Sequence, residues 1–129
     1  MYKHSLLIPL LSPHHSLSPE TTEIVATFSG IHWALHTIGP ASVGAYIISM
    51  THEVSDVLAA ILLAKEAGLC GEDDEGAYRA TLDIVPLFET IDDMRRAARL
   101  MDVLFAHPVY RLYLRSRGDL QEIMLGYSD

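Results

Sequence analysis

Two acidic residues, Glu89 and Asp129, stand at the ends of short apolar runs of the sequence. The runs cover residues 82–89 and 123–129, and a helical pattern separates them. Such runs are typical of buried parallel strands, and in parallel α/β folds ligands bind just beyond the carboxyl ends of the strands. Hard divalent cations prefer oxygen ligands such as carboxylates. We therefore expect Glu89 and Asp129 to lie where they could hold a divalent cation.

Histidines are the next candidates for chemistry. His14 and His15 are adjacent, so they cannot converge on one ion from a helix or a strand. His32 and His36 have a chelating spacing, but no Glu stands between them as in His-Glu-x-x-His, which favours a partly exposed helix face. His52 follows the first predicted strand and is the histidine that could line the mouth of a site at the strand ends.

Three other reactive side chains have simpler interpretations. Asp92 and Asp93 could form a carboxylate pair, but their position in the first turn of a predicted helix favours an interaction with the helix dipole. Cys70 is the single cysteine, which excludes an internal disulfide framework and fits a reducing compartment. Its acidic neighbours disfavour the thiolate, so we do not expect it to act as a nucleophile.

Helices and strands alternate along the chain in an order that can bring the strand ends together. A helix capped by Ser18 is expected to end at Gly39–Pro40, and strands are predicted over residues 45–50, 82–89 and 121–127. The connecting helices are predicted to be capped by Ser55 and Thr90. Residues 70–80 are predicted to form an acidic loop, and Pro108 to break the last helix, which Gly118 ends.

This order defines the fold class as α/β. Strands that alternate with helices imply parallel pairing with right-handed crossovers. A (β/α)8 barrel usually needs about 250 residues, whereas this chain has 129. We therefore predict a partial barrel with three parallel strands preceded by a helix, in a domain covering residues 18–129. Residues 1–17 are predicted to be an irregular N-terminal segment, because they are rich in Pro, Ser and His and lack a clear period.

Composition restricts the possible partners. Half of the residues are hydrophobic, which is enough for a core. The formal net charge of −8 argues against nucleic acid or an anionic membrane as a partner. No apolar stretch approaches the length of a membrane span or of a signal-peptide core. The expected location is the cytoplasm.

Five segments of the sequence occur in the order and at about the spacing found in phosphoenolpyruvate carboxylases, and the chain resembles that family. They are Tyr46-Ile47-Ile48-Ser49-Met50, Ser55-Asp56-Val57-Leu58-Ala59, Leu63-Ala64-Lys65-Glu66-Ala67-Gly68, Val85-Pro86-Leu87-Phe88-Glu89-Thr90 and Met124-Leu125-Gly126-Tyr127-Ser128-Asp129. The resemblance covers residues 18–129 and is strongest from Ala45 onward.

The resemblance implies an enzyme that joins bicarbonate to phosphoenolpyruvate, giving oxaloacetate and phosphate. This reaction belongs to the lyase class. It fixes carbon dioxide and is anaplerotic for the tricarboxylic acid cycle. The family uses Mg²⁺ or Mn²⁺, and its Phe-Glu-Thr and Tyr-Ser-Asp motifs carry the two metal-binding carboxylates, which correspond here to Glu89 and Asp129. Full-length members are generally homotetramers with a (β/α)8 barrel.

Other motifs of that family do not occur in these 129 residues. The catalytic His of Thr-Ala-His-Pro-Thr, the Lys that follows Tyr-Ser-Asp, and the Arg/Gly-rich loop are all missing. The catalytic residues therefore stay unassigned, and we expect this fragment by itself to be inactive. Two alternatives stay open, namely another barrel enzyme that uses phosphoenolpyruvate or pyruvate, and a non-enzymatic remnant that associates through its open strand edges.

Overall fold

A three-stranded parallel sheet lies at the centre of the fold. The structure is a computed structural model and describes residues 18–49 and 51–126. Its helices are α1 (Pro19–Thr37), α2 (Val54–Glu66), α3 (Ile91–Ala106) and α4 (Pro108–Ser116), with a 3-10 helix at Pro40–Ser42. Its strands are β1 (Ala45–Ile48), β2 (Cys70–Glu72), β3 (Tyr78–Ala80), β4 (Asp83–Phe88) and β5 (Met124–Leu125).

β4 is the middle strand of this sheet. The order is β1-β4-β5, and both pairings are parallel. Ala45 is paired with Asp83 at one side of β4, and Phe88 with Leu125 at the other. The prediction of three parallel strands connected by helices is confirmed, although the last strand is shorter than predicted. The helices pack on the sheet around a core that comprises 16 buried residues in the described part of the chain, among them Phe28, Val57 and Phe88.

An antiparallel hairpin, β2–β3, replaces the acidic loop predicted over residues 70–80, so that prediction is wrong. Asp73 organises its turn, because Oδ1 accepts hydrogen bonds of 2.9 Å from the amides of both Glu75 and Ala77. Gly76 has φ = 82°, a conformation that glycine adopts without strain. The acidic residues that suggested a solvated loop are therefore turn residues between two three-residue strands.

Most of the predicted helix ends are confirmed. The Ser18 side chain accepts a hydrogen bond from the amide of Thr21, and Pro108 separates α3 from α4. Thr90 caps α3, since its hydroxyl accepts from the amide of Asp93 at 3.0 Å. The predicted cap Ser55 is wrong, because Glu53 is the N-cap and α2 therefore begins two residues earlier than predicted. The Asp56 carboxylate returns to the amide of Glu53 at 3.0 Å and fixes this start.

The amino end of β4 is attached to α4 by buried hydrogen bonds. The Tyr113 hydroxyl accepts from the amide of Ile84 at 2.7 Å and donates to the carbonyl of Leu82 at 3.2 Å. Burial raises the pKa of Tyr113 to about 12, so the hydroxyl stays protonated at neutral pH. Arg117 adds an ion pair with Asp83 at 2.7 Å. These contacts hold the start of β4 in place.

The described helices give no membrane-spanning candidate: in residues 18–49 and 51–126 none is long and apolar enough to cross a bilayer.

Tyr113→Phe should destabilise the fold by about 1–3 kcal/mol, because it leaves the buried amide of Ile84 without its partner. The free energy of unfolding in urea measures this loss. Tyr46→Phe is the control, since Tyr46 is a half-buried ring that packs on Phe28 at 4.6 Å between ring centroids. Equal stabilities of the two variants would contradict the structural role of the Tyr113 hydroxyl.

Leu104→Ala should cost about 2–5 kcal/mol through lost burial and the cavity it leaves, because Leu104 is fully buried at 0% exposure. Leu120→Ala makes the same chemical change at a side chain that is 70% exposed, and should change stability by no more than about 0.5 kcal/mol. Urea unfolding of both variants tests whether α3 packs on the sheet as described.

Candidate functional site

Glu89 lies at the carboxyl end of the central strand. It follows the last residue of β4 directly and precedes Thr90, the cap of α3. The side chain is partly buried. Its main chain is therefore held between the sheet hydrogen bonds of β4 and the capping interactions of α3. This is the position that the strand-end argument predicted for Glu89.

Gly126 brings the end of β5 against Glu89. Its amide donates to the carbonyl of Phe88 at 2.9 Å and continues the pairing of β5 with β4. A Cβ at Gly126 would lie 3.3 Å from Cγ of Glu89 and 3.3 Å from a methyl carbon of Leu87. The absence of a side chain at this residue therefore permits the close approach of the two strand ends.

Asp129, the second predicted metal ligand, lies outside the described residues. It follows Gly126 by three positions in the sequence. Within residues 18–49 and 51–126, no group of three or more His, Cys, Asp and Glu side chains could hold a metal ion. The pairing of Glu89 with Asp129 therefore stays a prediction, supported by the contact between Glu89 and Gly126.

A histidine–carboxylate pair also lies at the carboxyl ends of the strands. Nδ1 of His52, in the connection after β1, is 2.6 Å from Oδ1 of Asp93 in the first turn of α3. The Asp93 side chain is completely buried, whereas 43% of the His52 side chain is exposed. The pair thus links two strand-to-helix connections and leaves one side of the imidazole accessible.

Asp93 is ionised at neutral pH. The hydrogen bond from His52 is the main reason that its pKa is lowered to about 2, and Thr90 contributes further hydrogen bonds. Arg96 donates to the same oxygen, Oδ1, at 3.0 Å. Because an ionised carboxylate can only accept hydrogen bonds, Nδ1 of His52 carries a proton in this pair.

The main chain of His52 is fixed as firmly as its ring. Its amide donates to the Asp56 carboxylate at 3.0 Å. The preceding residue, Thr51, is completely buried, and its amide donates to the carbonyl of Leu87 at 3.0 Å. Backbone and ring are therefore held by separate partners on α2, β4 and α3.

Sequence reasoning identified His52 but missed the role of Asp93. The helix-dipole interpretation of Asp93 fits its place in the capping box of α3, but the carboxylate also binds a histidine 41 residues away in the sequence. A threonine followed three residues later by an acid is a capping-box signal. That signal predicts the local contact with Thr90 and contains nothing about His52.

The other predicted candidates lie away from this edge or serve local structure. The rings of His32 and His36 are stacked at 4.1 Å on α1, and Nδ1 of His36 contacts the carbonyl of His32. Cys70 is buried, and desolvation raises the pKa of its thiol. A raised pKa disfavours the thiolate, as does the acidic sequence around Cys70 on which the prediction was based. His14 and His15 lie outside the described residues.

An apolar groove of about 780 Å³ lies elsewhere, between α2, the β2–β3 hairpin and the start of α4. Leu58, Leu62, Val109 and Leu112 are among its lining residues, whereas Glu89, His52 and Asp93 are not. The groove is therefore separate from the polar groups at the strand ends.

Acid should destabilise the fold through Asp93. The pKa of this carboxyl is lowered from its usual 3.8 to about 2, so its ionised form stabilises the fold fully above about pH 4, and this contribution is lost as the pH falls through about 2. Urea midpoints of the wild-type chain should fall across this range. In Asp93→Asn that part of the decline should be absent.

Asp92→Asn is the matched control for this measurement, because the neighbouring Asp92 side chain is 81% exposed. It should show the same acid-induced decline as the wild-type chain. A decline in Asp93→Asn that runs parallel to that of Asp92→Asn would contradict the assignment.

Comparison of the sequence with known proteins identifies a family. The sequence model of the phosphoenolpyruvate carboxylase family matches residues 5–129. The chain is 47% identical over 127 residues to the phosphoenolpyruvate carboxylase of Rhodothermus marinus, covering 94% of this chain and 14% of that protein. It is 46% identical over 121 residues to the enzyme of the same name from Rhodopseudomonas palustris strain BisA53, covering 94% of this chain and 13% of that protein.

A third relative gives the same result. The phosphoenolpyruvate carboxylase of Synechococcus sp. strain WH7803 is 46% identical over 125 residues, covering 94% of this chain and 12% of that protein. The chain thus spans between 12 and 14% of the length of these curated relatives. Since the family model matches almost the whole sequence, the chain belongs to the phosphoenolpyruvate carboxylase family.

Proposed function

We propose that this chain is a segment of the catalytic (β/α)8 barrel of a phosphoenolpyruvate carboxylase. The intact enzyme would carboxylate phosphoenolpyruvate with bicarbonate to give oxaloacetate and phosphate. Family membership supports this proposal, and so does the sheet. Three parallel strands in the sequential order β1-β4-β5, with helices in each connection, match the arrangement of consecutive strands in a barrel wall.

The observation that carries the proposed site is the contact between Glu89 and Gly126. The Cβ position of Gly126 is 3.3 Å from Cγ of Glu89, so the chain reaches the end of β5 directly beside this carboxylate. Tyr127, Ser128 and Asp129 come next in the sequence. The arrangement supports a site to which Glu89 and Asp129 both contribute oxygen ligands.

The donor set fits Mg²⁺ or Mn²⁺. Both residues supply carboxylate oxygens, and Mg²⁺ usually binds one or two carboxylates together with substrate oxygens and water. When bound, such a cation would stabilise negative charge on the phosphoryl and enolate oxygens. The contribution of the chain is to hold Glu89 at a fixed point, between the last backbone hydrogen bonds of β4 and the cap of α3.

Catalysis belongs to the longer protein in this proposal. The family's histidine, lysine and arginine motifs do not occur in the 129 residues, and the chain covers only 12 to 14% of its relatives. We therefore propose that the isolated chain is inactive. A cytoplasmic homotetramer is the proposed state of the full-length enzyme. Membership of this family favours the fragment hypothesis over a different phosphoenolpyruvate- or pyruvate-type barrel enzyme.

A chimeric enzyme tests the proposed site. Residues 18–129 would replace the corresponding segment of the Rhodothermus marinus enzyme, to which the chain is 47% identical. The chimera should form oxaloacetate from phosphoenolpyruvate and bicarbonate. Glu89→Gln in the chimera should lower kcat/KM by roughly 100-fold or more, because a charged ligand becomes a neutral amide.

Glu122→Gln is the control for the chimera, since it makes the same chemical change at an exposed residue near β5. It should leave kcat/KM unchanged. Circular dichroism and the oligomeric state of each variant establish that it is folded. Full activity of a folded Glu89→Gln chimera would remove Glu89 from the metal site.

The isolated chain should bind Mn²⁺ only weakly, with a dissociation constant of about 1 mM or higher, because substrate oxygens normally complete such a site. Isothermal titration calorimetry, with Mn²⁺ titrated separately into the wild-type chain and the Glu89→Gln variant, measures this affinity. A micromolar site that is lost in the variant would show that the fragment forms a complete metal centre, contrary to the proposal.

A further inference from the structure

The His52–Asp93 pair has a geometry that fixes the orientation and tautomer of a half-exposed histidine. Nδ1 is 2.6 Å from a completely buried carboxylate, and 43% of the His52 side chain remains exposed. Nδ1 must carry a proton, because ionised Asp93 can only accept. Among the described residues none forms a hydrogen bond with Nε2. Nε2 is therefore the ring atom that is left to bind another molecule.

The pair lies where a substrate would bind in a parallel α/β fold. His52 follows β1, and Asp93 lies in the first turn of the helix that follows β4. Both residues therefore follow the carboxyl end of a strand, and Glu89 follows the carboxyl end of β4 as well. A histidine whose backbone and ring are both anchored at this edge has lost its rotational freedom before any ligand arrives, which reduces the entropy lost on binding.

Carboxylates predominate around His52, so an anion can be attracted at this point only by the protonated imidazole itself. The ionisable groups nearest to the pair in the sequence are Glu53 and Asp56 at the start of α2, Glu89 after β4, and Asp93 and Arg96 on α3. Asp92 and Arg95, also at the start of α3, are highly exposed and pair with each other. Arg96 donates to the same Asp93 oxygen as His52. An anionic substrate needs positive charge among these carboxylates, and an imidazolium supported by ionised Asp93 supplies it.

We propose that His52 binds a phosphoryl oxygen of the substrate through Nε2–H, with Asp93 as the positioning residue that holds the ring. This inference rests on the proposed function, because phosphoenolpyruvate supplies the phosphoryl group. Only the protonated ring can donate from Nε2 while Nδ1–H stays on Asp93. Anion binding therefore requires the doubly protonated imidazole, with one N–H on Asp93 and the other on the ligand.

Nuclear magnetic resonance of the full 129-residue chain tests this directly. Sulfate is the probe, because it is a tetrahedral dianion like a phosphoryl group and its own charge is constant near neutral pH. Imidazole ¹⁵N and ¹H shifts of His52 would be followed during a sulfate titration at constant ionic strength in chloride. His107, whose Nδ1 accepts from the amide of Val109 at the start of α4, is the internal control.

The expected result is a saturable shift of the His52 Nε2 resonance on addition of sulfate, because the imidazole N–H would donate to a sulfate oxygen. The His107 resonances should show no saturable change. A response of His52 no larger than that of His107 would overturn the proposal and leave an adventitious ion only.

Variants separate charge from fold. His52→Gln should raise the sulfate dissociation constant roughly tenfold or more, because charged hydrogen bonds are about twice as strong as neutral ones. His52→Lys should keep sulfate binding, because the lysine supplies a positively charged donor at the same position. Asp93→Asn should keep the ring but let both tautomers form, which the ¹⁵N shifts report even if binding persists. Unchanged sulfate affinity in a folded His52→Gln chain contradicts the proposal.

Paramagnetic Mn²⁺ added to the same samples distinguishes failure of this inference from failure of the proposed function. Line broadening around Glu89 that is lost in Glu89→Gln supports the metal site whatever sulfate does at His52. Broadening around Glu89 without a sulfate response leaves the proposed function intact and eliminates the role of His52. A sulfate response without broadening at Glu89 supports His52 as an anion ligand, and the activity of the Glu89→Gln chimera then decides the metal site separately.

Discussion

The central position of β4 is the constraint on which the rest of the structure depends. β4 is paired in parallel with β1 and β5, and most of its side chains are buried. A shift of one residue in its register would turn Ile84 and Phe88 to the opposite face of the sheet. It would also move Glu89 away from the strand end. The amino end is held by Tyr113 of α4. The carboxyl end leads through Glu89 to the cap of α3, so one strand positions both the core and the candidate site.

The two ends of β4 have different tasks. At the amino end, the hydroxyl of Tyr113 satisfies a buried amide, which stabilises the fold without leaving a reactive group accessible. At the carboxyl end, the buried Asp93 holds the half-exposed His52, so buried charge is used to orient a side chain that solvent and ligands can reach. This division agrees with parallel α/β folds, in which ligands bind at the carboxyl ends of the strands.

Both outer strands of the sheet have unpaired edges within the described residues. Ile47 of β1 is 41% exposed and Leu125 of β5 is 67% exposed. Unpaired apolar edges favour association with further strands. The chain spans only 12 to 14% of the length of its three phosphoenolpyruvate carboxylase relatives. In the proposed barrel these edges would be paired by neighbouring strands, so the exposed apolar residues of β1 and β5 fit a segment of a longer domain.

The sequence by itself determined the elements whose signals are local, together with the position of Glu89 at a strand end. Ser18, Thr90 and Pro108 mark helix ends through contacts within a few residues, and the apolar run before Glu89 marks a buried strand. The hairpin β2–β3 was missed because its strands are short and its turn residues are acidic. Only the tertiary structure decided that Asp93 binds His52, since the two are 41 residues apart and meet because β1 and β4 are neighbours in parallel. The same pairing rule brings Gly126 against Glu89, a contact that depends on the packing of two strand ends and leaves no periodic signal in the sequence.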